Sequence, residues 1–366
     1  MRRKAWMVGL GCASIALCSL CGCSWREILP SNTPTLPNDV AVDRALKLCS
    51  LNEGDQPYHL ILEILSPARP STSARGPNTH AQDLHAQVEI YWLNPVTYRV
   101  EIRSRTFNQT RIVNGNVVDE HNTGDFYPRW IQNFVDAILD PIPHADRLKK
   151  IPGVIPVGLQ AHACISSPAA TAAGELDQSK MAQVCFQDAE PRIASGVDFT
   201  RSVWFDDFAP FGGQMIPRTL INNLPVNLLV RGHIALLEPL SKSDYALLKA
   251  REFTPPAKKI QTTLVSGATA QSLLAAFPDW QPVESSSDKQ GSPMPIYIRT
   301  DRTGRVREAY RDSSDQFGLQ DAAVVRALTL KFKPLIVDGA PRQMEAPLML
   351  PSRTILAQNF APGPSR

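Results

Sequence analysis

The sequence predicts an α+β fold: a curved antiparallel β-sheet (a half-barrel) with a packed helix, followed by a small β-β-α-β unit. Three observations carry that expectation. Apolar and polar residues alternate in successive short runs between about residues 41 and 240, the period-two pattern of half-buried antiparallel strands. One helical stretch with a single apolar face, Pro128 to Leu139, interrupts them. Beyond Pro295 two strand-like runs, a helical run and a further strand follow in turn. A chain of 366 residues is long enough for two domains, each with its own core.

The chain opens with Arg2, Arg3 and Lys4 and continues as 21 uncharged residues from Ala5 to Trp25. A basic n-region before an apolar stretch is the export pattern. Leu20-Cys21-Gly22-Cys23 then resembles a bacterial lipobox, in which cleavage leaves a lipid-bearing Cys. The resemblance implies a signal peptide over 1–22, lipidation at Cys23 and, from Ser24 in place of Asp, an outer-membrane destination. Cys21 departs from it, standing where a small or branched residue is usual. Simple cleavage and an uncleaved anchor stay open, since 21 residues can span a bilayer. Each alternative puts the folded part outside the cytoplasm. Without the three leading basic residues, 35 bases face 35 acids, which argues against a nucleic-acid partner.

Residues 23–40 hold Pro30, Pro34 and Pro37 and read as a tether. A short helix is expected from about Asp43. Strands follow, with Leu60, Leu62 and Ile64 alternating, then Val88, Ile90 and Trp92, then Tyr98, Val100 and Ile102. Asn114-Gly115 between apolar pairs signals a two-residue hairpin. In the helix that Pro128 opens and Asp140-Pro141 closes, Trp130, Ile131, Phe134, Val135, Ile138 and Leu139 share a face. Strands are expected over Asp198–Phe205, Gln214–Ile221 and Val226–Leu237, which makes about nine strands and two helices up to residue 240.

Four of the seven cysteines lie in the leader, leaving Cys49, Cys164 and Cys185. In an exported chain two of three should pair, and Cys164 with Cys185 is the favoured pair, each in a strand-like run. Residues 251–262, with Pro255-Pro256 and Lys258-Lys259, read as a linker. The second unit spans 263–352: strands at Pro295–Thr300 and Arg305–Arg311, a helix at Leu319–Leu328, then Leu330–Phe332 and Gln343–Leu350. Residues 353–366 read as a flexible tail.

Asp301-x-x-Gly304-x-Val306, Leu319-x-Asp321-Ala322-Ala323, Phe332-x-Pro334 and Asp338-Gly339-x-Pro341 together resemble the TonB C-terminal domain family, over about residues 255–352. The Tyr-Pro usual before the first helix, the Trp usual before Phe-x-Pro and the long periplasm-spanning spacer are missing. The resemblance implies a protein-binding module that takes a partner strand. Residues 41–250, with Trp92-x-Asn94-Pro95-x-x-Tyr98-Arg99-Val100 and the Asn114-Gly115 hairpin, resemble LolA/LolB-type lipoprotein carriers and related sigma-factor regulatory domains in pattern. That implies no particular ligand residue.

Little in the chain looks like catalysis. HExxH, GxSxG, P-loop and GxGxxG motifs are absent from the sequence. His80 and His85 lack a companion carboxylate constellation, so they read as solvated loop residues rather than metal ligands. Asp206-Asp207 reads as a strand end rather than an acid–base pair. Arg305, Arg307 and Arg311 share a strand face with Ala309 and would suit an acidic partner, although a charged stripe is more commonly a solvated edge. The Trp130–Leu139 face is what any sheet-packing helix needs, and is also what could cover an acyl chain.

The expected function is therefore that of a non-enzymatic cell-envelope protein without cofactor or metal. It would sit in the periplasm on a lipid anchor and bind an outer-membrane receptor or envelope protein by β-strand addition, in connection with transport across the outer membrane. The alternative is a periplasmic carrier or sensor of a lipid or lipoprotein acyl chain in the first domain.

Overall fold

The structure is a computed structural model, and it describes residues 34–350 apart from 66–84, 125, 157–162, 168–180, 188–189, 199–200, 225–227, 249–259, 277–293, 312–323 and 325. The signal peptide, Cys23, most of the tether, His80 and the C-terminal tail lie outside the described residues.

In chain order the elements are β1 (Thr35–Pro37), α1 (Asn38–Cys49), β2 (Tyr58–Leu65), β3 (His85–Asn94), β4 (Thr97–Ser104), β5 (Asn108–Asn114), β6 (Val117–Thr123), α2 (Arg129–Leu139), α3 (Ala145–Lys149) and β7 (Val154–Pro156). Then come β8 (Ala163–Ser167), β9 (Ala182–Gln187), β10 (Arg192–Asp198), β11 (Ser202–Phe211), β12 (Gln214–Leu224) and β13 (Leu228–Pro239). The C-terminal elements are β14 (Thr262–Leu264), α4 (Gly267–Leu273), β15 (Leu274–Ala276), β16 (Met294–Thr300), β17 (Val306–Arg311), β18 (Lys331–Phe332), β19 (Leu335–Val337) and β20 (Ala340–Leu350).

Eleven strands form one antiparallel sheet in the order β6-β5-β4-β3-β2-β13-β12-β11-β10-β9-β8. The chain enters at the middle and walks outward through hairpins to β6. After the helices it restarts at the far edge and walks back until β13 closes on β2, from Arg231↔Leu65 to Pro239↔Tyr58. Alternation decides which face is buried. Leu60, Leu62, Ile64, Val88, Ile90, Val100 and Ile102 are buried against α1 and α2 in one cluster. The opposite face carries a charge ladder, with His59 3.0 Å from Glu89, and Arg103 bridging Glu89 and Glu101.

The expected α+β class is overturned: the protein is mostly β, organised on this eleven-stranded sheet. Twelve strands lie between residues 41 and 240 where about nine were read. The alternation had merged or shortened several of them, and β7 is only three residues long, below the length at which period two can be recognised. The β-β-α-β unit is corrected as well. The C-terminal sheet runs β14-β20-β16-β17, with β14 parallel to β20 and β19 paired to the start of β20. The segment read as linker thus ends in a strand. Val324, Arg326 and Ala327 are helical, and the rest of the expected 319–328 helix lies largely outside the described residues.

The C-terminal sheet has two unlike faces. Ile296, Ile298, Met344, Ala346 and Leu348 form a second core with Ala270, Ala327, Leu330 and Phe332. The other face presents Tyr297, Arg299, Glu308, Tyr310, Gln343 and Glu345, and it meets the N-terminal end of α2. Gly304 has φ +84°, and a Cβ there would lie 2.0 Å from the Phe332 carbonyl oxygen. Only glycine permits both that backbone and that approach.

Candidate functional site

Helix α2 is the element around which the candidate site is built. Of the six residues the sequence spacing selects, Trp130, Ile131, Phe134, Val135 and Ile138 are buried and Leu139 is partly buried, and Phe134 packs against Gly232 of β13, where an added Cβ would come within 3.0 Å of the ring. Neither end has a cap from its own side chains; both are completed by distant elements.

At the N-terminal end the Arg129 amide donates to both carboxylate oxygens of Glu308, at 3.1 and 3.3 Å. This satisfies an orphan helix amide and brings negative charge to the positive end of the dipole. The Arg129 guanidinium lies 3.6 Å from Glu345 and 4.5 Å above the Tyr297 ring centroid. Arg299, 1% exposed, donates to Gln132 and to Thr262 (3.0 Å), and lies 3.6 Å from Glu345 and 3.9 Å from Glu308. Gln343 pins the preceding backbone, accepting from the Tyr127 amide at 3.0 Å and donating to its carbonyl at 3.3 Å. Burial, opposed by Arg299, Tyr310 and Arg129, holds the Glu308 carboxyl above its ordinary value.

The C-terminal end is built differently. The Asn52 side-chain amide donates to the Leu139 carbonyl, and Arg201 donates to the Asp140 carbonyl at 2.7 Å. Gln214 of β12 does the same for α1, donating to the carbonyls of Lys47 (2.9 Å) and Ser50 (2.7 Å). Between α1, α2 and the sheet lies an apolar cavity of about 20 Å³, lined by Cys49, Leu51, Ala137, Ile138, Pro141, Ile193, Phe205, Ile216, Pro217, Leu220 and Ile234. Burial pushes the Cys49 thiol up to about 11, so it presents a neutral, apolar surface there. Outside the Pro141 wall opens a polar groove of about 700 Å³. Gly196 holds that wall close: a Cβ on it would lie 2.3 Å from the Pro141 carbonyl oxygen.

The structure places the sequence-selected residues as follows. Cys164 and Cys185 are directly paired across β8 and β9 and form the disulfide. Arg307 is ion-paired to Asp301 at 3.4 Å and lies over Phe126. A register shift in the β16–β17 pairing skips it, so it leaves the face it was expected to share with Ala309. Arg305 is exposed and bridges in backbone to Lys331, and Arg311 closes β17 opposite Ile296. Asp206 and Asp207 are both exposed and enclose no cleft. Among the described residues no group of three or more His, Cys, Asp or Glu could hold a metal ion. The protein-partner expectation rested on the TonB resemblance, and it is withdrawn with the fold class that carried it.

Sequence reasoning found the apolar face of α2 but missed its partners. Glu308, Arg299, Glu345 and Gln343 lie far along the chain, and only the burial of alternate polar residues on β16, β17 and β20 marks them.

No family model matches the sequence, the C-terminal stretch included, and no curated protein matches it. Among solved structures it is similar to a LolA superfamily protein from Nitrosomonas europaea, at 8% identity and TM-score 0.36, covering 59% of this chain and 98% of that one. It is similar to a putative outer membrane lipoprotein-sorting protein domain from Vibrio parahaemolyticus, at 8% identity and TM-score 0.32, covering 57% and 95%. A DUF1329 family protein from Desulfovibrio piger follows at 10% identity and TM-score 0.35, covering 58% and 99%. At these values the likenesses carry no inference about activity or ligand.

Proposed function

We propose that this protein is a non-enzymatic cell-envelope carrier or sensor of an apolar ligand of the acyl-chain type, taken up between α1, α2 and the sheet. The observation that carries this reading is the apolar cavity against Ile138, Ile193, Ile216 and Ile234, set where α2 crosses the sheet. In the closed form its volume of about 20 Å³ holds about one water, so uptake requires the C-terminal end of α2 to part from the sheet. That end is tied by two hydrogen bonds to single side chains, Asn52 and Arg201. The envelope location is supported by the export pattern at the start of the chain and by the Cys164–Cys185 disulfide, which suits an oxidising compartment.

Organic extraction of the purified full chain followed by mass spectrometry tests the reading. A stoichiometric co-purifying lipid, lost when Ile138→Trp fills the cavity, is the expected result. An empty extract, with no uptake of added dodecanol, contradicts it.

A further inference from the structure

The groove outside the Pro141 wall is a site of its own. It measures about 700 Å³, and its wall includes Glu53, Asp140, Asp146, Arg147, Lys149 and Lys150, three acids and three bases. Lys149 is committed to Asp43 at 2.6 Å. Among the described residues, Glu53, Asp146, Arg147 and Lys150 make no side-chain hydrogen bond or ion pair, although both signs face the same space. One of these groups is unusual. The Arg147 Nη1 is buried and has no hydrogen-bond partner, and a guanidinium nitrogen withdrawn from water without an acceptor is costly. That atom is shielded from the groove, but Arg147 as a whole is only half-buried and lines it, so its positive charge faces an anion there. A guanidinium is suited to a phosphate, which it can meet with two parallel N–H donors.

The groove also adjoins the apolar cavity. Pro141 lines both, and Leu51, Ile138 and Cys49 of the cavity are followed in sequence by Asn52, Leu139 and Ser50 of the groove. A charged space and an apolar one thus meet across one thin wall, which is the division within an amphiphile.

We infer that the groove binds the head of a zwitterionic phospholipid whose chain enters the adjoining cavity, with the phosphate on Arg147 and Lys150 and the ammonium on Glu53 and Asp146. This rests on the acyl-ligand reading and adds the head group to it.

The test compares three probes on the full chain by calorimetry or by ligand-observed NMR: dihexanoyl phosphatidylethanolamine below its micelle concentration, O-phosphorylethanolamine as the head alone, and dodecanol as a chain alone. The lipid should bind. Arg147→Gln should weaken it about tenfold, the loss of one charge-assisted contact, and Lys150→Gln should weaken it less. Dodecanol should bind both variants as it binds the parent, which also verifies that they fold. Dodecanol bound with the lipid indifferent to Arg147→Gln overturns the head-group site and leaves the acyl reading standing. O-phosphorylethanolamine bound as tightly as the lipid overturns it too, by making the groove a site for a free polar molecule. No dodecanol binding at all defeats the acyl reading itself.

Discussion

At its N-terminal end α2 brings its own Arg129 to Arg299, Glu308 and Glu345 of the C-terminal sheet in a largely buried cluster, while at its C-terminal end it meets Asn52, Arg201, a water-sized apolar cavity and an open polar groove. The first end is fixed by charges that have nowhere else to go, because moving one partner leaves another buried and unpaired. The second end is held by fewer contacts: the neutral Asn52 amide, which water can replace at modest cost, and Arg201, a buried cation that also pairs with Asp198 at 4.0 Å. One helix is therefore anchored at its start and releasable at its finish, the asymmetry a hinge needs.

The largest effect should come from breaking the anchored end. Arg299→Ala leaves Glu345 and Glu308 short of their main counter-charge and should cost about 3–5 kcal/mol, read by denaturant unfolding. A loss below about 1 kcal/mol would equate the two ends and remove the asymmetry. The Cys164–Cys185 link, remote from α2, is a control for general loosening. Replacing both by Ser opens a closed loop with a sequence separation of 21 and should cost roughly 3 kcal/mol in the chain-entropy model, without changing dodecanol uptake.

At the releasable end Asn52→Ala removes one donor to α2 and the partner of the Tyr58 hydroxyl. It should cost about 1–2 kcal/mol and speed dodecanol uptake in stopped-flow fluorescence, whereas Arg299→Ala should not speed it selectively.

The smallest effect is on pH dependence. Glu308 has its carboxyl pKa raised by burial, so the folded state holds that proton more tightly than the unfolded chain. Its contribution to stability is full below the ordinary carboxylate range and is lost as pH rises through the raised value. Glu308→Gln should flatten this fall in a series of unfolding curves, and an unchanged slope would show that the seam does not hold the group as described.

How much of this the sequence discloses follows from range. Period two exposed the inner face of β2, β3 and β4, and the three- and four-residue steps exposed the buried face of α2, because each pattern is complete within ten or so residues. The Cys164–Cys185 pair was legible because few cysteines remained once the leader was set aside. The hairpin was legible at Asn114-Gly115, although the loop itself is Gly115-Asn116, closed by Asn114↔Val117. The charged seam was not legible. Tyr297, Arg299, Glu308 and Glu345 alternate with apolar residues as a solvated face would, and only the burial of Arg299 and Glu345, with Tyr297 and Glu308 half-buried beside them, distinguishes them from one. The short strands β14, β15 and β19, three residues each, carry too few positions for any period. The cavity and groove join residues from α1, α2, α3 and the sheet, which no local pattern brings together.

The central claim is that an acyl chain enters beneath the C-terminal half of α2. Photo-crosslinking the full chain with a diazirine-bearing dodecanol, followed by peptide mapping, tests it most directly. The account predicts adducts on peptides carrying Ile138, Ile193, Ile216 or Ile234, suppressed by Ile138→Trp. Adducts confined to the outer charge ladder of the sheet, or unaffected by filling the cavity, would contradict it.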